Sequence, residues 1–168
     1  MRITEIVLCF LALLASMPVY ADLCSDIDSI YEASQNGFSA WKGHYDSDMS
    51  EYESKYNLQS ASRCFIELDG TTKDYTCEWY IGTKDMMYAN YNAFVQQIAA
   101  CPINGIKSSF RKKSFPNSET DRISISDKET SYYDYNGDIK LSASIRSVFS
   151  KKNGTYQNII DFKLENWQ

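Results

Sequence analysis

The chain has 168 residues, 17 basic and 22 acidic side chains and a net charge of −5. A negative chain lacks the basic excess that holds a phosphate backbone, so no nucleic-acid partner is expected, and the length suits one domain. With a single histidine, His44, any Ser-His-Asp, Cys-His or multi-histidine metal chemistry would have to run through that one residue.

Met1-Arg2 opens the chain with a positive charge, Ile6 to Ala15 is an unbroken apolar run, and Val19-Tyr20-Ala21 ends in residues that a signal peptidase accepts. The pattern predicts a secretory signal over residues 1–21, cleaved before Asp22. The run is shorter than the ~20 apolar residues of a membrane span, so no span is expected after cleavage. Leu8 before Cys9 and Leu23 before Cys24 put bulky side chains where a lipid-attachment signal needs a small one. Residues 22–168 are read as one disulfide-stapled domain. Cys9 leaves with the leader, and Cys24, Cys64, Cys77 and Cys101 remain as an even set in an oxidising compartment. No Cys-x-x-Cys pair is present to suggest zinc, so the reading assigns no metal, no cofactor and no thiol nucleophile.

From Asp22, the positions Leu23, Ile27, Ile30 and Ser34 fall at helical spacing, with acids near the positive end of the dipole and Asn36-Gly37 as the stop. Residues 38–61 are polar, acidic and tyrosine-rich, and read as a surface connection with a short helix around Met49 to Tyr56. Arg63 to Leu68 and Tyr75 to Ile81 are strand-like around an Asp69-Gly70 turn, forming a hairpin. Thr83 caps a second helix whose apolar face is Met87, Tyr91, Phe94, Val95 and Ile98, ending at Cys101-Pro102. Beyond Ile106 the period becomes two: Ile123 and Ile125, then Ile139, Leu141, Ala143 and Ile145, then Ile160, Phe162 and Leu164, with turns at Asn136-Gly137 and Asn153-Gly154. No internal sequence repeat is visible. The expected fold is α+β, an antiparallel sheet of about five strands with two helices on one face, in the order α-β-β-α-β-β-β. A hairpin centred between Gly70 and Thr71 places Cys64 opposite Cys77. Their pairing leaves Cys24 for Cys101, which requires antiparallel helices.

The series Cys24, Phe38, Lys42-Gly43, Cys64, Tyr75-Thr76-Cys77-Glu78-Trp79, Tyr91 and Cys101 resembles a group of small exported bacterial proteins of uncharacterised function. The resemblance covers most of the chain and implies a bacterial periplasmic or secreted setting. It brings no catalytic residue with it.

Asp46-Ser47-Asp48 opens like a calcium loop but fails at the turn and at the closing position, where Glu51 and Asn57 stand in place of Gly and Glu. The acids Asp46, Asp48, Glu51 and Glu53 are therefore read as part of a protein-binding surface with Trp41, Tyr45, Tyr52 and Tyr56, because loop aromatics give large contact area at small entropic cost. Lys107, Arg111, Lys112 and Lys113 form a basic cluster, suited either to guarding a sheet edge or to docking an acidic partner. The functional expectation is a non-catalytic periplasmic binding or inhibitory protein acting on another protein or an envelope component, with immunity-type neutralisation of a toxin as a special case. The alternative is a small carboxylate-dependent hydrolase of cell-envelope material, assisted by His44.

Overall fold

The computed structural model describes residues 23–101, 113–121, 124–133, 138–150 and 155–167. The predicted leader, Lys107, Arg111, Lys112, Ile123 and the turns at Asn136-Gly137 and Asn153-Gly154 lie outside the described residues. Helix α1 spans Leu23–Gln35, and strands β1 (Lys42–Asp46), β2 (Glu51–Ser54), β3 (Arg63–Asp69) and β4 (Thr72–Ile81) follow it. Helix α2 spans Lys84–Ala100, and β5 (Lys113–Asp121), β6 (Ser124–Tyr133), β7 (Ile139–Ser150) and β8 (Thr155–Asn166) complete the order. Among the described residues all strand pairs are antiparallel, in one eight-stranded sheet ordered β1-β2-β3-β4-β8-β7-β6-β5.

The fold is α+β, but the expected sheet of about five strands in the order α-β-β-α-β-β-β is wrong. Three strands, β1, β2 and β5, escaped the sequence reading, and each lies at or beside a sheet edge, where no apolar stripe is required. The expected connection and short helix over 38–61 are in fact the β1–β2 hairpin. Its turn is built by Asp46, whose Oδ1 accepts from the backbone N–H groups of Asp48 at 2.9 Å and Met49 at 3.3 Å. Such Asx turns give the backbone an alternative to a helical start. Gly43 sits at a bulge in β1, where a Cβ would lie 2.8 Å from the Glu53 carbonyl oxygen.

The chain runs through the same architecture twice, a helix followed by a four-stranded meander. The two meanders join at β4 and β8 to make one sheet with an approximate two-fold axis normal to it. Both helices present the same buried stripe, Leu23, Ile27, Ile30 and Ser34 on α1, and Met87, Tyr91, Phe94 and Ile98 on α2, at i, i+4, i+7 and i+11. That likeness is one of pattern, since the residue identities differ.

The helix stops follow from local chemistry. Gly37, at φ +64, ends α1 with its N–H donating to the Ser34 carbonyl while the Phe38 N–H donates to the Ala33 carbonyl. The Thr83 hydroxyl caps α2 by accepting from Met86 N–H at 3.2 Å. Gly70 takes φ +57 in the two-residue turn that sets Cys64 directly opposite Cys77. Disulfides join Cys64 to Cys77 and Cys24 to Cys101, as the register argument requires, and the second ties the start of α1 to the end of α2. Two such bonds suit an oxidising, exported environment.

Both helices pack on one sheet face over one core, where Leu141, Ala143, Ile145, Ile160, Phe162 and Leu164 meet Ile27, Ile30, Phe94 and Ile98. The Phe94 and Phe162 rings meet edge to face at 5.9 Å. Two buried polar contacts tie helix to sheet: Asn166 Nδ2 donates to Ser34 Oγ at 2.9 Å, and the Tyr91 and Thr130 hydroxyls meet at 2.6 Å.

Candidate binding face

The strand residues that point away from the helices form the other face of the sheet. On β4 these are Asp74, Thr76 and Glu78; their neighbours in register are Glu67, Phe65 and Arg63 on β3, and Glu165, Lys163 and Asp161 on β8. Lys140, Ser142, Ser144 and Arg146 continue the face onto β7, and Glu129 onto β6. The result is an open groove of about 460 Å³, lined by the carboxylates of Glu51, Glu67, Glu78, Glu129, Asp161 and Glu165 and the cations Arg63, Lys140, Arg146 and Lys163, with Met49 and Phe65 among its apolar lining.

All of these charges but Glu67, together with Asp74, are wired into two chains. In the first, Arg63 bridges Glu51 and Glu78 at 2.8 Å each, and Arg146 bridges Glu78 and Asp161, the latter at 2.8 Å. In the second, Lys163 reaches Asp74 at 2.7 Å and Glu165 at 3.6 Å, and Lys140 reaches Glu165 at 3.0 Å and Glu129 at 3.1 Å. Arg63 also lies over the Phe65 ring, 4.4 Å from its centroid.

Burial and neighbouring charge pull these groups in opposite directions. Burial pushes Asp161, Asp74 and Glu51 above their ordinary values, outweighing the cations beside them. Burial also acts on Glu78, but the hydrogen bond and charge of Arg63, with the charge of Arg146, overcome it and hold that carboxyl low. Glu129 is likewise held low, since bonds from Ser131 and Lys140 outweigh its burial. Two buried oxygens on this face, Asp74 Oδ1 and Thr76 Oγ1, have no hydrogen-bond partner.

The residues singled out in the sequence divide into groups. Glu51 lies in the groove, and Asp46 pairs with it on the same face of the hairpin. Tyr45 and Tyr52 pair directly on the opposite face of that hairpin, their ring centroids 4.8 Å apart, with Tyr45 46% exposed. Trp41 and Tyr56 belong to the core's margin: they stack at 4.2 Å, and the Tyr56 hydroxyl donates to Asp26 on α1. Asp48 and Glu53 are exposed, as is His44, which stands on edge strand β1 and does not line the groove. Lys113 begins β5.

Sequence reasoning missed most of the groove. The signal was present as the complement of the apolar alternation, Asp161-x-Lys163-x-Glu165 on β8 and Asp74-x-Thr76-x-Glu78 on β4. Among the described residues, no group of three or more His, Cys, Asp or Glu side chains is placed to hold a metal ion, and no helix is long and apolar enough to cross a membrane. No family model, curated protein or solved structure matches this chain.

Proposed function

We propose that this chain is a non-catalytic binding or inhibitory protein of the bacterial periplasm, and that it holds a basic protein partner on the helix-free face of its sheet. One observation carries the reading: a groove of about 460 Å³ whose lining has six carboxylates and four cations. The excess is anionic, and the aromatic ring of Phe65 and the side chain of Met49 supply apolar contact area among the charges. Complementary charge speeds encounter and selects partners, while apolar and aromatic contacts supply most of the affinity. Immunity-type neutralisation of a basic toxin is one form such an interaction takes.

The test is capture of a partner from periplasmic extract by immobilised protein, at low and raised salt. A basic protein retained by the native chain, released by salt, and not retained by a Glu51→Gln/Glu67→Gln/Glu165→Gln variant of native melting temperature is the expected result. Retention by that variant together with loss in Tyr45→Ala would move the binding surface to the β1–β2 hairpin.

A second reading, a carboxylate-dependent hydrolase of envelope material, draws on Glu78 and Asp161. These are directly opposed on β4 and β8, one held low and the other pushed up, and diverging carboxylates can divide into base and acid. Arg146 binds both of them, however, and His44 is not beside them. Release of soluble fragments from purified cell wall, abolished by Asp161→Asn, would favour this reading over binding.

A further inference from the structure

The two charge chains of the groove are related by the same approximate two-fold axis that relates the two halves of the sheet. The axis passes near the pair Thr76 and Lys163, which are direct neighbours across β4 and β8. Two residues beyond it on β4 stands Glu78, and two residues beyond it on β8 stands Glu165. Each faces a cation on the adjoining strand, Arg63 on β3 and Lys140 on β7. Each cation also reaches an acid one strand further out, Glu51 on β2 or Glu129 on β6. The inner acids correspond but the inner cations do not: Arg146 on β7 carries the first chain to Asp161, whereas Lys163 on β8, beside the axis itself, carries the second to Asp74. Each chain thus alternates acid, cation, acid, cation, acid, and keeps one uncompensated negative charge.

Each half carries a like-charge pair across the seam, offset by the cation that bridges it. Glu78 is directly opposite Asp161, and Asp74 directly opposite Glu165, and like charges at directly opposed strand positions are destabilising. At the second acid pair and at Thr76 between the two pairs, this face is also short of hydrogen bonds. Thr76 is only 7% exposed and Asp74 only 9%, yet Thr76 Oγ1 and Asp74 Oδ1 have no partner. A buried carboxylate oxygen of this kind calls for an N–H donor from outside. The acid pairs stand four residues apart along the strands, a span of about 14 Å at the usual rise. An extended peptide repeats at the same rise, so its side chains at i and i+4 reach both pairs while the residues between cross Thr76.

Resting on the reading that this face binds a basic partner, we propose that the two chains are equivalent half-sites for one extended basic segment of that partner, with cationic side chains at positions i and i+4. Because the half-sites are related by a two-fold axis, either direction of the segment presents its cations equally well.

The probes are synthetic peptides, titrated calorimetrically into the full chain at low salt. Ser-Lys-Ser-Gly-Ser-Lys-Ser carries the i, i+4 spacing, and Ser-Ser-Lys-Lys-Gly-Ser-Ser carries the same charge on adjacent residues. The first is expected to bind about tenfold more tightly, since only it engages both half-sites at once. A peptide with an asymmetric interior, Ser-Lys-Thr-Gly-Ser-Lys-Ser, and its reversed sequence should bind within about twofold of one another. Glu78→Gln and Glu165→Gln, which keep side-chain shape, should weaken the i, i+4 peptide by similar factors, with melting temperatures recorded for both. Equal affinity for the two spacings, or a loss confined to one of the two variants, overturns the inference. Spermine binding as tightly as the i, i+4 peptide would overturn it in favour of a polyamine site. Failure of every peptide to bind, alongside salt-sensitive capture of a basic protein that the groove variant loses, would leave the wider reading standing and remove the half-sites.

Discussion

Removing Arg146 tests whether the groove's charges are part of the fold. Its guanidinium donates to Asp161 at 2.8 and 3.2 Å and also to Glu78, two carboxylates directly opposed across the β4–β8 seam. Arg146→Met keeps much of the stem and deletes the charge. It leaves Glu78, whose side chain is 4% exposed, facing Asp161, at 12%, with Arg63 as the remaining cation on Glu78. Breaking a buried ion pair by deleting one partner costs about 3–5 kcal/mol. The Arg146 side chain is itself 31% exposed, so water screens part of the loss and about 2–3 kcal/mol is expected. For a domain of this size that lowers Tm by roughly 5–10 °C. The deficit should also depend on pH. Burial already pushes Asp161 above its ordinary 3.8, and losing Arg146 pushes it further. The folded variant therefore binds protons before the unfolded chain does, and it regains stability as pH falls through that raised value. Glu78, held below 4.5 in the native chain, gives stability that is present above its unfolded value and lost as pH falls through the folded one. Native and variant curves should converge on acidification, and Arg146→Met/Asp161→Asn should recover most of the loss at neutral pH. Urea melts from pH 7 down to pH 4 measure this; an unchanged midpoint, or a deficit that does not vary with pH, refutes the argument.

Other substitutions probe different parts of the fold. Phe162→Ala removes a fully buried ring packed on Phe94 and should cost about 3–5 kcal/mol in urea unfolding; a small loss would contradict the described β7–β8 register. Replacing Cys24 and Cys101 by Ser opens a loop of sequence separation 77 and should cost about 4.5 kcal/mol by loop-closure entropy, against about 3 kcal/mol for the Cys64–Cys77 bond of separation 13. The ranking is readable by thermal unfolding of the two double variants. Tyr45→Ala, at an exposed edge position, should change stability by less than about 1 kcal/mol. Trp41→Ala, stacked on Tyr56, should cost about 2 kcal/mol, and equal effects in a melting experiment would show that both rings serve the same role.

What could be read from the sequence depended on whether a residue repeats a core pattern. The two helices, the Cys64–Cys77 hairpin and the period-two runs of β7 and β8 all turn a recurring apolar stripe toward one core, and periodicity finds such stripes. Strand β2 offers Glu51-Tyr52-Glu53-Ser54, with one aromatic residue in four, and β5 carries Pro116 and Asn117, residues that normally argue against a strand. Edge position makes β5 tolerable, because a strand paired on one side needs fewer donors and less burial, while β2 lies one strand in from the opposite edge and pairs with both β1 and β3. The internal two-fold was invisible for a related reason: Ile27 stands where Tyr91 stands, and Ser34 where Ile98 stands, so the halves share a pattern of burial rather than of residues. The groove was hidden because its members come from β2, β3, β4, β6, β7 and β8. The acids that clustered in sequence were the ones on the β1–β2 hairpin, whereas the acids that cluster in space are far apart along the chain.

The same strand pair supplies both the core and the groove, and this ties the two together. Along β4, Tyr75 and Cys77 enter the core while Asp74, Thr76 and Glu78 face the groove; along β8, Phe162 and Leu164 enter the core while Asp161, Lys163 and Glu165 face out. A slip of one residue in either strand would carry a carboxylate into the space under the helices and bring an aromatic or aliphatic side chain out. Burying an unpaired carboxylate there costs several kcal/mol, whereas the native register pairs nearly every charge. The charged face therefore penalises misregistration of the β4–β8 seam, which joins strands far apart in sequence and so closes late and at high entropic cost. The apolar face alone would punish the same slip less, because Ile159 and Val148 on the open side offer partial replacements for core residues. The ion-pair chains of the groove thus help to define the seam, and the register that the core requires is the one that brings Glu78 opposite Asp161 and Asp74 opposite Glu165 on the charged face.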